Sequence, residues 1–356
     1  MDLAKHRLVN QHLVGAKLGT PEAVVRWLGA VQAQDFAGAT WGLAQRTAGA
    51  DAAAVERAFD AGAFVRTHVL RPTWHLVPPE DVRWMLALTA PRVKATLAHY
   101  DRRLELDAAT LRRSHDLIAV SLRDGRYRTR MELADVLERA GIAARGQRLG
   151  HLMMHAELDA LVCSGPRRGK QQTYALLDER VAPAPPLTRD EALATLARRY
   201  FASHGPATAH DFAWWSGLKV SDARAGLGLL APEVEQATVD GKTYWTAAPV
   251  TPVEVEEPVV HLLPNYDEHV VAYRDRGPSC APEARGALHV RGGLDAHLVA
   301  LNGLVVGGWR RSVGRTGVVV KPDLLVALRR SERAALARAA EDYSRFLGLP
   351  VALEGA

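Results

Sequence analysis

The spacing of apolar positions divides the chain into short helical stretches punctuated by hairpins. Val24, Val25, Leu28 and Val31 recur at helical intervals behind Thr20-Pro21-Glu22, which supplies a capping hydroxyl, a proline at the first helical position and an acid in the first turn. This pattern predicts helices over residues 21–32, 38–46 and 51–62. From Phe64 to Val77 the period shortens to two: Val65, Thr67 and Val69 alternate with Arg66, His68 and Leu70, Arg71-Pro72-Thr73 turns, and Trp74-His75-Leu76-Val77 returns. Three helices and a hairpin make a winged helix, and a long helix over about 79–99 leads onward.

A second unit follows. Its first helix is expected over about 108–123; Thr129 and Glu132 then form a capping box ahead of Leu133, Val136, Leu137 and Ala140, and Gly141 ends that helix. The next helix, about 147–159, turns Leu149, Leu152, Met153 and Ala156 inward, and the pair has helix-turn-helix spacing. Leu161-Val162-Cys163 and Thr173 to Leu177 flank Gly165-Pro-Arg-Arg-Gly-Lys170, a hairpin tip with three cations. A proline-rich linker over 181–187 breaks helix and sheet alike. Beyond it, Thr188 and Glu191 repeat the capping box, helices are expected over 208–218 and 221–230, and a hairpin over 235–246 turns at Asp240-Gly241. From Val259 the texture changes to short apolar runs (Val259 to Leu263, Leu288-His-Val290, Leu304-Val-Val306, Val318-Val-Val320), and a helix over about 331–346 closes the chain. The expected fold is α+β: three tandem winged-helix units over 1–100, 101–182 and 183–250, then a β-rich module over 251–356.

Composition adds little to this and excludes several classes. With 356 residues, 48% of them hydrophobic, the chain can build packed cores, and no apolar stretch is long enough to span a bilayer. Its first residues hold no apolar run of the signal-peptide kind, so a cytoplasmic location is expected. Cys163 and Cys280 lack zinc or redox spacing and are expected as free thiols; no metal or cofactor is expected either. The net charge of +5 is modest, but its carriers are largely arginines, several of them clustered, which suits phosphate contact.

Candidate chemistry gathers at Gln32-Ala33-Gln34. Gln32 lies four residues after Leu28, beside the apolar face rather than opposite it. Residues two apart share a side only in extended backbone, so the two amides converge if the helix ends near Gln32. Two adjacent amides can hold one water; the plainer reading is a polar helix end that caps its own carbonyls. Asp35 is the rival to Gln34, either a supporting carboxylate or a cap for the following helix, with the cap preferred.

Three stretches carry a family resemblance: Val31-Gln-Ala-Gln34, Val69-Leu-Arg-Pro-Thr-Trp-His-Leu-Val77, and Leu262-Leu-Pro-Asn-Tyr-Asp-Glu-His-Val-Val-Ala-Tyr-Arg-Asp-Arg276. The chain resembles, over nearly its whole length, the winged-helix DNA glycosylases of the AlkZ/YcaQ type. Glutamine at position 34, where the YcaQ-like branch has aspartate, makes it similar to the AlkZ branch. The resemblance implies tandem winged helices around a concave DNA surface, with Gln32 and Gln34 as the catalytic pair. It also implies release of N7-alkylated purines from double-stranded DNA and, in antibiotic producers, unhooking of azinomycin-type interstrand crosslinks. The expected enzyme is monofunctional, since no lysine in the motif offers a Schiff-base route, and a monomer is expected.

Around that centre, Trp74 and His75 are candidates for support, as stacking ring and neighbour. Expected phosphate contacts are Arg71, Arg145, Arg148, His151, Arg167, Arg168, Lys170, Lys219, Arg224, Arg310 and Arg311. Tyr266, Asp267, His269 and Arg274 show no metal spacing and are expected to be structural. The alternative is a winged-helix transcription regulator without catalysis, in which the glutamines are a polar helix end. Three units on one chain, without a sensing domain or dimerising heptads, favour the enzyme.

Overall fold

The computed structural model describes residues 1–247, 258–285 and 296–355; the expected run Leu288-His-Val290 lies outside them. The chain opens with α1 (Leu3–Asn10) and α2 (Pro21–Leu28). Thr20 accepts the Ala23 N–H and so caps α2, which ends four residues earlier than its apolar spacing predicts. The stop is Gly29, whose φ of +80° is open to glycine and strained for other residues. Backbone released from the helix becomes β1 (Val31–Gln32), and α3 (Phe36–Ala44) and α4 (Ala52–Asp60) follow. β1 then joins the hairpin of β2 (Val65–His68) and β3 (Trp74–Val77) in a three-stranded sheet of order β1-β3-β2.

A single turn of 3-10 helix over Pro79–Asp81 leads into α5 (Val82–Arg103), which carries Pro91 without ending. The second group comprises α6 (Ala108–Leu122), β4 (Arg128–Thr129), α7 (Arg130–Arg139), α8 (Gly146–Leu158), β5 (Val162–Ser164), β6 (Thr173–Leu176) and the short α9 (Leu177–Arg180). Its sheet has the order β4-β6-β5, and the expected capping box is present, Thr129 and Glu132 each accepting the other's backbone N–H. The third group is α10 (Arg189–Ser203), α11 (Ala209–Ser216), α12 (Val220–Leu230) and the hairpin β7 (Glu235–Val239) and β8 (Lys242–Thr246).

The last region holds β9 (Val260–Leu263), α13 (Glu268–Val271), β10 (His297–Leu301), β11 (Leu304–Val313), β12 (Val318–Leu324), α14 (Arg330–Leu347) and β13 (Val351–Leu353). Its five strands form one sheet of order β13-β12-β11-β10-β9, antiparallel except where β13 runs parallel to β12. The sheet does not have a core to itself. Val24, Val25 and Leu28 of α2 and Trp41 and Leu43 of α3 share one apolar cluster with Leu262, Val299, Val320, Leu336 and Tyr343. A second cluster joins the first sheet, α5 and the third group through Val65, Met85, Tyr200, Trp215 and Tyr273, whereas the second group has a smaller core of its own. Cys163 and Cys280 are free, as expected, and burial pushes the Cys163 thiol up to about 12.

Candidate active site

Gln32 ends a strand instead of a helix, and both its backbone and its side chain are held. Its N–H donates to Glu268 Oε1 at 2.7 Å, and Glu268 Oε2 accepts the indole N–H of Trp215 at 3.0 Å, with His204 Nε2 3.4 Å away. Its side-chain Oε1 accepts from Arg71 Nη2 at 2.8 Å. A guanidinium has donors only, so the atom facing it must be the amide oxygen, and Nε2 is turned the other way. One residue on, the Ala33 N–H donates to the Trp74 carbonyl at 2.7 Å and the Ala33 carbonyl accepts from Arg66 Nε at 3.0 Å. Gln34 follows on backbone in neither helix nor strand, and its side chain is exposed. Gln32 is thus fixed and nearly buried, and Gln34 stands free beside it.

Asp35 occupies the N-cap position of α3, as expected, but its carboxylate makes no capping hydrogen bond; it lies 4.0 Å from Arg311 Nη2 instead. Arg311 also donates to the Tyr343 hydroxyl at 2.7 Å. The nearby Asn265 N–H donates to His297 Nδ1 at 2.8 Å, and burial followed by the charge of Arg311 pulls His297 down to about 4. Asn265 Oδ1 is buried without a partner among the described residues.

Two expected supports are placed differently. The Trp74 indole donates to Glu157 of α8 at 3.2 Å and lies under the Arg66 guanidinium, 4.2 Å from the ring centroid, with His68 on its flank. His68 pairs with the same Glu157, so this ring is a strut between the first and second groups and not an open stacking face. His75 faces Gln32 across the β1–β3 pairing but is completely buried. Its Nδ1 is 3.0 Å from the Thr73 carbonyl, and burial, helped by Arg71, holds its pKa well below the ordinary value, so it stands neutral beneath the motif.

The expected phosphate contacts divide into engaged and free side chains. No residue of α8 from Arg148 to Leu158 is exposed, because α5, α6 and β2 pack around that helix. Arg148 caps the end of α5 through the Leu104 and Glu105 carbonyls, and Asp101 binds both His151 Nδ1 and His155 Nε2 at 3.0 Å. Arg148 and His151, expected as phosphate contacts, are thus spent on the end of α5. Arg145 is paired with Glu138 through two 2.8 Å bonds, Arg167 with Glu56 at 2.5 Å and Arg168 with Glu132 at 2.7 Å. The hairpin tip therefore leans on α4 and α7, with Lys170 exposed beyond it. Lys219, Arg224 and Arg310 are exposed; Arg71 is partly buried against Gln32.

Asp267 and His269, expected to be structural, are buried and engaged within the fold. Asp267 binds Arg46 through 2.8 and 2.9 Å bonds with both side chains almost fully buried; burial alone would raise its carboxyl, and Arg46 outweighs this and holds it low. His269 Nε2 meets the Gly303 carbonyl at 2.8 Å. Glu268 and Arg66, which hold the backbone of the Gln motif, and Trp214 and Arg276 beside Arg71 were not singled out from the sequence. A signal existed for one of them: Trp214 stands beside Trp215 on one short helix, and large aromatic side chains in neighbouring positions point in different directions.

Two amides, Gln32 at the end of β1 and Gln34 exposed just beyond it, thus sit at one edge of the first sheet. A profile described as DNA glycosylase AlkZ-like matches residues 25–346, which span the Gln motif and all the groups above, and the chain belongs to that family. It is similar to the interstrand DNA cross-link repair glycosylase of Streptomyces sahachiroi, 26% identical with 94% of each chain covered. The solved structure of the Streptomyces sahachiroi DNA glycosylase AlkZ superposes with a TM-score of 0.78 at 25% identity, covering 98% of both chains. No helix among the described residues is long and apolar enough to cross a membrane.

Proposed function

We propose that this glycosylase hydrolyses the N-glycosidic bond of N7-alkylated purines in double-stranded DNA as a monomer, with Gln32 and Gln34 as its catalytic pair, and that it accepts interstrand crosslinks of the kind named for its Streptomyces sahachiroi relative. The supporting observation is the contrast between the two amides: Gln32 is held by Arg71 and Glu268, while Gln34 is exposed two residues away.

An N7-alkylated purine already carries positive charge, so it departs as a neutral base without a general acid. The C1′–N9 bond breaks with its electron pair going to the purine, a water oxygen bonds to C1′, and the water's proton passes to solvent. The oxocarbenium-like state in between needs partial negative charge and a placed water. Gln34 offers a free carbonyl oxygen for both. Gln32, with Oε1 taken up by Arg71, has one oxygen lone pair left and presents Nε2–H, which suits it to orient the water. Neutral amides stabilise the sugar cation less than a carboxylate does, which favours cationic lesions over intact purines. The exposure of Gln34 suits a bulky crosslinked base that cannot rotate into a closed pocket.

Incubation with duplex containing N7-methylguanine tests this reading. Free N7-methylguanine should be released by the parent and lost with Gln32 and Gln34; DNA binding without release would make the chain a regulator or a damage-sheltering scaffold.

A further inference from the structure

Trp214 and Trp215 are neighbours on α11 with opposite fates. Trp215 is fully buried on Glu268, while Trp214 is 39% exposed, its indole N–H fixed on the Val271 carbonyl at 2.9 Å. Two guanidiniums lie over the Trp214 ring: Arg71 Cζ is 5.7 Å and Arg276 Cζ 5.6 Å from its centroid. Among the described residues neither arginine has a carboxylate within salt-bridge distance, unlike Arg145, Arg167 and Arg168, and Arg276 Nε is buried without a partner. Burial lowers both guanidiniums from their ordinary values. Glu268 attracts Arg71 from beyond ion-pair distance without outweighing its burial, and Arg276 has no such acid, so two like charges share one ring with their desolvation not offset, an arrangement that an anion completes.

The packing keeps this cluster in place. Gly217 ends α11 at a φ of +70°, so close to the first hairpin that a Cβ there would lie 2.1 Å from the Leu70 carbonyl oxygen; only glycine fits. Arg92 Nε donates to the Gly217 carbonyl at 2.6 Å, and Arg71 Nη1 reaches the Trp214 carbonyl at 3.5 Å. The turn that carries Arg71 and the helix end that carries Trp214 are therefore packed directly on one another.

We propose that Arg71, Trp214 and Arg276 form a site for a phosphodiester of the DNA strand, and that the bound phosphate, through Arg71, fixes the Gln32 amide. The indole face holds both guanidiniums by cation–π attraction, and each fork has N–H groups to spare. Arg71 uses one on Gln32 Oε1 and keeps others for a phosphate oxygen, so a single guanidinium bridges backbone seating and the orientation of Gln32. Arg71 and Arg276 are positioning residues in this scheme; neither touches the reacting atoms. The inference rests on the Gln32 segment facing DNA, yet its binding half needs no excision and is tested apart from it.

The experiment measures affinity for undamaged duplex across a salt series, then single-turnover excision from N7-methylguanine duplex at saturating enzyme, with circular dichroism confirming native folding. Arg276→Ala should weaken binding and lower the slope of log affinity against log salt by roughly 0.9, and Arg276→Lys should keep the slope. Trp214→Ala should weaken binding about tenfold, with Trp214→Phe closer to the parent. Arg71→Ala should lower the slope and also slow excision at saturation by about tenfold or more. An unchanged slope in both Arg71→Ala and Arg276→Ala overturns the phosphate site. A lowered slope with parental excision in Arg71→Ala overturns the link to Gln32. If the parent binds with the expected slopes but releases no base, the proposed reaction fails and the phosphate site stands.

Discussion

The Glu268 carboxylate accepts the backbone N–H of Gln32 at 2.7 Å across 236 residues of sequence. The contact ties the C-terminal region to the strand that ends at Gln32. Glu268 also holds Trp215, so a single buried carboxylate sets both that strand and the helix end next to it.

Glu268→Ala leaves two buried donors, the Gln32 N–H and the Trp215 indole N–H, without an acceptor. The expected loss is about 3 kcal/mol of stability, from roughly 1–3 kcal/mol for each orphaned donor. Denaturant unfolding measures it. Glu268→Gln keeps one acceptor oxygen and should lose less; equal stability of the alanine variant and the parent would mean that the contact is not made in solution.

Alanine at Gln32 or Gln34 should each slow excision of N7-methylguanine by about 10²- to 10³-fold with little change in DNA affinity. Because both amides act on one water, the double variant should lose less than the product of the single effects. Gln34→Glu should change the rate without changing affinity. Parental single-turnover rates in both alanine variants would remove the pair from the mechanism and direct attention to Asp35, which faces Arg311.

Arg145, Arg167 and Arg168 are already neutralised by Glu138, Glu56 and Glu132. Their joint replacement by alanine should therefore move the salt slope of binding by less than about one unit, well below the roughly 2.7 expected of three phosphate contacts. Lys219→Ala, at the exposed N-cap of α12, and Arg224→Ala, at an exposed position within it, should move it more. A drop near 2.7 in the triple variant would show that the ion pairs open on DNA.

Stability should fall as the solution is acidified below the ordinary histidine range. His261 and His269 are fully buried and neutral; burial, followed for His261 by the charge of Lys17, brings them down to about 3 and about 4. Their folded values lie below the unfolded one, so the unfolded chain takes up protons that the folded chain refuses. Their contribution is intact above about pH 6.5 and declines as pH drops toward 4, by up to about 1.4 kcal/mol per pH unit for each residue. Urea unfolding at pH 7, 6 and 5 reads this directly; a flat profile would mean that these histidines titrate normally.

Much of this architecture was legible in the sequence because local chemistry decided it. The capping boxes at Thr129 and Thr188 and the Asp240-Gly241 turn require only neighbouring residues, and all three are present. The motif at Gln32 was legible as a place for a helix to stop, but not its stop at Leu28, because the apolar spacing runs on to Val31 while Gly29 has already turned the chain. The orientation of α8 was hidden for a different reason. Arg148 and His151 read as surface residues by period, and only the long-range course of α5, which brings Asp101 and the Leu104 carbonyl to them, turns them inward. Glu268 and Arg276 depend on the same kind of distant pairing, which no local pattern encodes.

The apolar cluster shared by α2, α3, the C-terminal sheet and α14 has a consequence for synthesis. Val24, Val25 and Leu28 leave the ribosome early, yet Leu262, Val299, Val320 and Leu336 leave it only near the end. Until then the strand bearing Gln32 lacks both its Glu268 anchor and the sheet behind it. A nascent chain that has not yet reached Leu336 therefore exposes the apolar faces of α2 and α3, and the Gln32 strand is set only once the distant half of its core has been made.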